Sequence, residues 1–86
     1  MNRIKELPGI FGEIIAEARG KAGLSQEEVA AAIGASNVFI SLLETGKRQP
    51  SLTSAILLAW SLDLPPEDLV RRVALRIGPP RSLQKP

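Results

Sequence analysis

Apolar residues recur along this chain at spacings of three and four positions, a pattern that is typical of amphipathic α-helices. No stretch alternates apolar and polar residues regularly enough to predict a β-strand. Five apolar stretches are separated by capping residues and by glycine or proline, which end helices. The pattern therefore predicts an all-α domain of five helices without an internal repeat.

Two short helices joined by a tight turn are predicted for residues 25–46, SQEEVAAAIGASNVFISLLETG. Ser25 and Glu28 have the S-x-x-E spacing of a capping box, so the first of the pair should begin at Gln26. It should end near Ile33, because Gly34 can adopt the left-handed conformation that closes a helix.

The second helix of this pair is expected to follow Ser36, the next N-cap candidate, and to close at Gly46. Its apolar face consists of Phe39, Ile40 and Leu43. Ala30 in the preceding helix is small, which lets the two helices cross closely. The other three helices are expected to pack around this pair.

The helix ahead of the pair is predicted to run from Pro8, which suits a helix start, to about Ala22. Gly12 and Gly20 lie inside it and each cost about 1 kcal/mol relative to alanine, so tertiary contacts are expected to hold this helix. Its predicted buried stripe is Phe11, Ile14, Ile15 and Ala18. Residues 1–7 form a short leader.

Two further helices are predicted after the pair, from about Leu52 to Leu62 and from Pro66 to the residue before Gly78. Their predicted core positions are Leu52, Ala55, Ile56, Ala59 and Leu62 in the fourth helix, and Leu69, Val73 and Ile77 in the fifth. The folded domain is thus expected to span residues 8–78. The polar, proline-bounded tail, residues 79–86, is expected to be disordered.

Residues of the central pair resemble the helix-turn-helix of the lambda-repressor/Cro-like (XRE-like) transcription regulators. The matching positions are Gln26, Ala30, Gly34, Ile40, Leu43 and Glu44, flanked in the right order by Arg19, Gly23–Ser25, Gly46–Ser51, Ile56–Ala59 and Pro66–Leu69. The resemblance covers about Phe11 to Val70. It implies a compact five-helix, lambda-repressor-like domain and a sequence-specific transcription regulator whose partner is double-stranded DNA.

Composition narrows the possible functions further. The 86 residues suffice for one small domain and include no cysteine, histidine or tyrosine. A disulfide framework, a thiolate metal site and the commonest general base are thereby excluded, and we expect neither an enzyme nor a cofactor. The net charge of +2 permits nucleic-acid binding without requiring it. No apolar run reaches the ~20 residues of a membrane span, and no signal peptide is recognisable, so a cytoplasmic protein is expected.

The resemblance places four residues of the second helix of the pair opposite DNA bases: Asn37, Val38, Ser41 and Leu42. The Asn37 amide is suited to the N6 and N7 atoms of adenine, and Val38 or Leu42 can contact a thymine methyl group. Leu42 departs from the family pattern, which usually has arginine, lysine, glutamine or serine there. Val38, Phe39 and Leu42 could alternatively be helix-packing residues.

Phosphate contacts are expected from Gln26, Ser36, Thr45, Lys47 and Arg48. Gln26 opens a helix whose free N–H groups suit a phosphate oxygen, and the family uses its amide in the same way. Lys47 and Arg48 are alternatively a solvated pair of loop charges. By resemblance, Arg19 and Glu44 form a partly buried structural ion pair that orients the second helix; otherwise they are unrelated surface charges.

An apolar patch on the fourth and fifth helices predicts a homodimer, since tryptophan is enriched at interface hot spots. The predicted interface residues are Leu57, Trp60, Val70, Val73 and Ile77, with Ala74 beside them. Trp60 could alternatively cover a small core that lacks other aromatic residues. Because fold does not fix function, an antitoxin-like or adaptor module with a protein partner is the alternative to a DNA-binding regulator.

Overall fold

The structure, a computed structural model, describes residues 3–83 and contains five α-helices in that range. They are α1 (Leu7–Ala22), α2 (Gln26–Ile33), α3 (Asn37–Glu44), α4 (Leu52–Ser61) and α5 (Pro66–Ile77), followed by a single 3₁₀ turn, Arg81–Leu83. No strand occurs among the described residues. The predicted all-α, five-helix fold is confirmed.

The predicted caps set the boundaries of α2 and α3. The backbone N–H of Glu28 donates to Ser25 Oγ at 3.0 Å, and the Ser25 N–H donates to Glu28 Oε1 at 2.9 Å, which completes the capping box. Gly34 ends α2 with a φ of 69°. Ser36 Oγ accepts the N–H of Phe39 at 3.0 Å and starts α3. Local chemistry therefore fixes both helices of the turn.

Helix α1 begins at Leu7, one residue before the predicted start, with Glu6 at its N-cap and Pro8 in its first turn. It ends at Gly23, whose left-handed conformation has a φ of 71°. The predicted stripe is correct, because Phe11, Ile14 and Ile15 are buried and Ala18 packs against the core.

Helix α4 packs Ala55, Ala59 and Leu62 in or against the core as predicted, but its buried face is rotated away from Leu52. Leu52 is 72% exposed, whereas Leu58, which was not expected in the core, is fully buried beside Ala59 and Leu62. Apolar side chains surround most of LTSAILLAWS, so helical periodicity alone does not select a face. Packing selects the side that carries Ser54, whose hydroxyl donates to the carbonyl of Ser51 at 3.0 Å.

Helix α5 buries Leu69 and Val73 as predicted, with Ile77 packed against the core at its end. The 3₁₀ turn, Arg81–Leu83, occupies the middle of the segment expected to be disordered. The rest of that expectation, for residues 84–86, lies outside the described residues, as does the leader at positions 1 and 2.

Packing between helices leaves one side of α3 free. Helix α1 contacts α3 and α5, α2 contacts α3 and α4, and α4 contacts α5. Ile40 and Leu43 of α3 are fully buried between α1 and α2. Within residues 3–83, no helix combines the length and the apolar character that crossing a membrane requires.

Candidate nucleic-acid interface

The free side of α3 is presented outward from its first turn. Asn37 is exposed and Val38 is 67% exposed, next to the exposed N-cap residue Ser36. Glu44 is the only charged residue within α3, and its side chain is 6% exposed. The outer surface of α3 is therefore neither covered by the protomer nor acidic, and a duplex could approach it.

Two of the predicted base-contacting residues lie further from open solvent. Ser41 and Leu42 are both half-buried. The carbonyl of Leu42 also accepts the N–H of Lys47 at 3.0 Å, so the backbone of Leu42 takes part in the C-terminal cap of α3. Asn37 and Val38 are consequently the most exposed of the four predicted base-contacting residues.

Arg19 and Glu44 form the ion pair that the resemblance implied. Arg19 Nε donates to Glu44 Oε2 at 2.6 Å, and Arg19 Nη2 donates to Oε1 at 3.0 Å. A third donor, Nη1, bonds the carbonyl of Leu24 at 2.9 Å. Gln26 Nε2 donates to the same Oε1 at 3.0 Å, a bond that was not predicted. The network joins α1, the start of α2 and the end of α3.

Burial favours the neutral form of Glu44 and thus acts to raise the pKa of its carboxyl group. The hydrogen bonds from Arg19 and Gln26, together with the guanidinium charge, outweigh burial and hold the pKa of Glu44 below its usual value. The hydrogen bond with Glu44 also raises the pKa of Arg19. Both groups are therefore charged at neutral pH, and the pair is intact.

The predicted phosphate contacts differ in the donors that they have available. The Gln26 amide has two N–H donors and uses one of them on Glu44. The Ser36 hydroxyl accepts the N–H of Phe39 and keeps its own O–H for a further partner. Thr45 differs, since its hydroxyl donates to the carbonyl of Ser41 at 2.8 Å and its N–H donates to the same oxygen at 3.0 Å. A phosphate oxygen only accepts, so Thr45 has no spare donor in this conformation.

The end of α3 holds the Lys47–Arg48 segment in a defined path. The N–H of Gly46 donates to Leu43 and that of Lys47 donates to Leu42, the two bonds of a Schellman motif. Gly46 supplies the left-handed residue, with a φ of 73°. Within residues 3–83, neither Lys47 nor Arg48 is paired with a carboxylate. Both cations are therefore available to an anionic partner.

A helix-turn-helix family model matches residues 15–69, which is most of the chain and includes α2 and α3. The chain belongs to the XRE-type helix-turn-helix family.

Known proteins support this assignment. An HTH-type transcriptional regulator of Sinorhizobium fredii, y4dJ, is 38% identical over 61 residues, which are 71% of this chain and 79% of that protein. The restriction-modification controller protein C.AhdI from Aeromonas hydrophila is 37% identical with a TM-score of 0.66, over 69% of this chain and 89% of its own. ClgR, the clp gene regulator from C. glutamicum, shares the fold with a TM-score of 0.74 over 98% of this chain and 100% of its own, at 21% identity.

In this XRE-type domain, the backbone of α1 closely approaches the end of α3 at Gly12, a contact that the sequence analysis did not predict. A Cβ atom built on Gly12 would lie 2.6 Å from the carbonyl oxygen of Glu44 and closer still to that of Leu43. Gly12 therefore permits a backbone contact that any side chain would block. A glycine inside a helix destabilises it relative to alanine, and this penalty at Gly12 was the sequence feature that could have indicated the close contact.

The apolar surface of this XRE-type domain differs in part from the predicted dimer patch. Leu57, Trp60 and Val70 are exposed, as expected, and Trp60 is 66% exposed. The prediction that Val73 is exposed is wrong, because Val73 is 7% exposed and packs in the core. Ile77 is half-buried. The prediction missed Leu52, which borders an apolar groove together with Val70.

Proposed function

We propose that this XRE-type protein is a sequence-specific DNA-binding transcription regulator that inserts α3 into the major groove. The observation that carries the proposal is the outward first turn of α3, where Asn37 and Val38 face solvent on a rigid, capped helix. A helix of this kind fits the major groove and reads bases with its N-terminal residues. The regulatory relatives y4dJ and C.AhdI support the same role.

The charges around α3 support this proposal independently. The single carboxylate of α3, Glu44, is neutralised by Arg19 inside the protomer. Lys47 and Arg48 follow α3 without a carboxylate partner among the described residues, and Gln26 retains an amide donor at the start of α2. Cations and free donors flanking a neutral reading surface fit a duplex, because phosphates supply affinity and bases supply specificity.

Asn37→Ala is expected to weaken binding to the preferred duplex by about 1–3 kcal/mol and to relax sequence preference at the base it contacts. The preferred duplex would first be selected from a random pool, and affinities would then be measured by mobility shift over a salt series. Lys47→Ala is the matched control, since losing a phosphate contact weakens all sequences alike and reduces the salt slope by about one.

Two results would count against this assignment. If Asn37→Ala left both the selected sequence and the affinity unchanged, Asn37 would not read a base. If the unmodified protein retained no duplex even at low salt, the adaptor function, with a protein partner, would replace DNA binding.

We further propose that two copies associate through the outer side of α4, so that two α3 helices enter successive major grooves. Leu52, Ile56 and Trp60 are spaced by four residues and follow one another along α4, and Leu52 and Trp60 are among its most exposed apolar residues. Two-fold pairing would set half-sites ~34 Å apart on a near-palindromic operator.

Trp60→Gln is expected to shift the protein from dimer to monomer, because it removes the largest exposed apolar side chain. Leu75→Gln is the control, since Leu75 is equally exposed on α5 but borders α1 rather than α4. Sedimentation equilibrium over a concentration series measures both. A monomeric unmodified protein at high micromolar concentration would contradict the proposed dimer.

A further inference from the structure

We infer that Phe39 is a positioning residue that holds the Arg48 guanidinium ready for a backbone phosphate. The inference rests on the proposed DNA-binding function and adds to it a residue that does not itself touch DNA. Its basis is a cation–π contact, in which Arg48 Cζ lies 5.3 Å from the centroid of the Phe39 ring. This distance is within the ~6 Å range of such contacts.

The Phe39 ring is a fixed platform because both its backbone and its side chain are held. Its N–H donates to the Ser36 cap at 3.0 Å, and its side chain packs against the buried core. It is nevertheless only half-buried, so part of the ring is open to Arg48. Phe39 lies in the first turn of α3, beside the residues that are proposed to read bases.

Arg48 reaches the ring from a backbone that is also fixed. The Schellman motif at Gly46 and Lys47 sets the path of the chain just before it. A guanidinium has five N–H donors, and the face of one ring cannot engage all of them. Donors therefore remain for phosphate oxygens, and no carboxylate among residues 3–83 competes for them.

Holding Arg48 in advance matters because a free arginine side chain loses conformational freedom when it binds. With the guanidinium already held over the Phe39 ring, less of that freedom remains to be lost on contact with DNA. Phe39 thus contributes to affinity for every duplex, without contributing to sequence preference. A ring that merely filled the core could also affect binding, but its effect would not depend on Arg48.

A double-mutant cycle of Phe39→Leu and Arg48→Gln tests this role, with affinity and salt slope measured on both the selected and an unrelated duplex. Phe39→Leu is expected to weaken both duplexes equally, by about two- to fivefold. Arg48→Gln should weaken both duplexes at least as much and make the salt slope shallower by about 0.9. In the Arg48→Gln background, Phe39→Leu should have no further effect.

The cycle separates positioning from core packing. A purely structural Phe39 would weaken binding by the same factor with or without Arg48, and that result would overturn the inference. Phe39→Met replaces Phe39→Leu if the leucine variant does not unfold cooperatively. If Asn37→Ala weakens binding but Arg48→Gln leaves the salt slope unchanged, the inference alone fails. If the unmodified protein binds no duplex, the proposed function fails with it.

Discussion

Gly12→Ala is expected to lower the free energy of unfolding by at least about 2 kcal/mol, although alanine is the better helix former. The added methyl group would meet the backbone carbonyls of Leu43 and Glu44, and backbone atoms cannot rotate away as a side chain can. Helix α1 would have to move away from the end of α3. The same displacement would disturb the Arg19–Glu44 pair, so DNA binding should weaken as well.

Gly20→Ala is a matched control in the same helix. A Cβ atom at Gly20 meets nothing within 4 Å, so this substitution should stabilise the domain by about 0.5–1 kcal/mol. Urea denaturation of the two variants measures the difference. If both substitutions stabilised the protein, the close approach at Gly12 would not exist in solution.

Arg19→Met is expected to lower the free energy of unfolding by about 3 kcal/mol, because it leaves the Glu44 carboxylate buried without its cation. The side chain of Glu44 is 6% exposed and that of Arg19 is 22% exposed, so water replaces the lost partner only in part and Gln26 is the remaining side-chain donor. Lys21→Met is the control, since the Lys21–Glu17 pair lies on the exposed surface of the same helix and should contribute nothing measurable.

The pH dependence of this effect has a definite sign. In the unmodified protein the pKa of Glu44 lies below its usual value, so the pair stabilises the fold above about pH 4.3 and is lost as the pH falls further. In Arg19→Met, burial is no longer outweighed and the pKa of Glu44 rises. Protonation of Glu44 then removes the unpaired buried charge of the variant, whereas in the unmodified protein it breaks the ion pair. The free energies of unfolding of the two proteins should therefore converge on acidification. A constant difference from pH 7 to pH 3 would contradict this account.

The boundaries of the helices could be predicted because the signals that set them are local. Ser25 with Glu28, Ser36 and Gly34 each act within four residues of the helix end that they define. The inward faces of α1 and α5 followed from periodicity, since each has one dominant apolar stripe, although Val70 and Leu75 of α5 lie outside that stripe. These signals depend only on residues that are close together in the chain, so they can be identified from the sequence alone.

Features that depend on two distant segments could not be predicted in the same way. Helix α4 is apolar on most sides, so its orientation depended on what packs against it, and Leu52 and Leu58 exchanged the expected roles. The Gln26–Glu44 bond and the Arg48–Phe39 contact join residues that lie in different elements, so no pattern within one helix reveals them. The Arg19–Glu44 pair, by contrast, was expected only because the family resemblance brought those two positions together.

The outward position of Trp60 has a spectroscopic consequence. It is the only tryptophan in a chain without tyrosine, so the near-ultraviolet fluorescence comes almost entirely from one indole that is 66% in water. In the monomer, denaturation changes the surroundings of such an indole little, whereas anything that covers the outer side of α4, including the proposed second copy, changes them greatly. Melting is therefore best followed by far-ultraviolet circular dichroism. The emission maximum of Trp60 is better suited to detecting a partner that covers the outer side of α4.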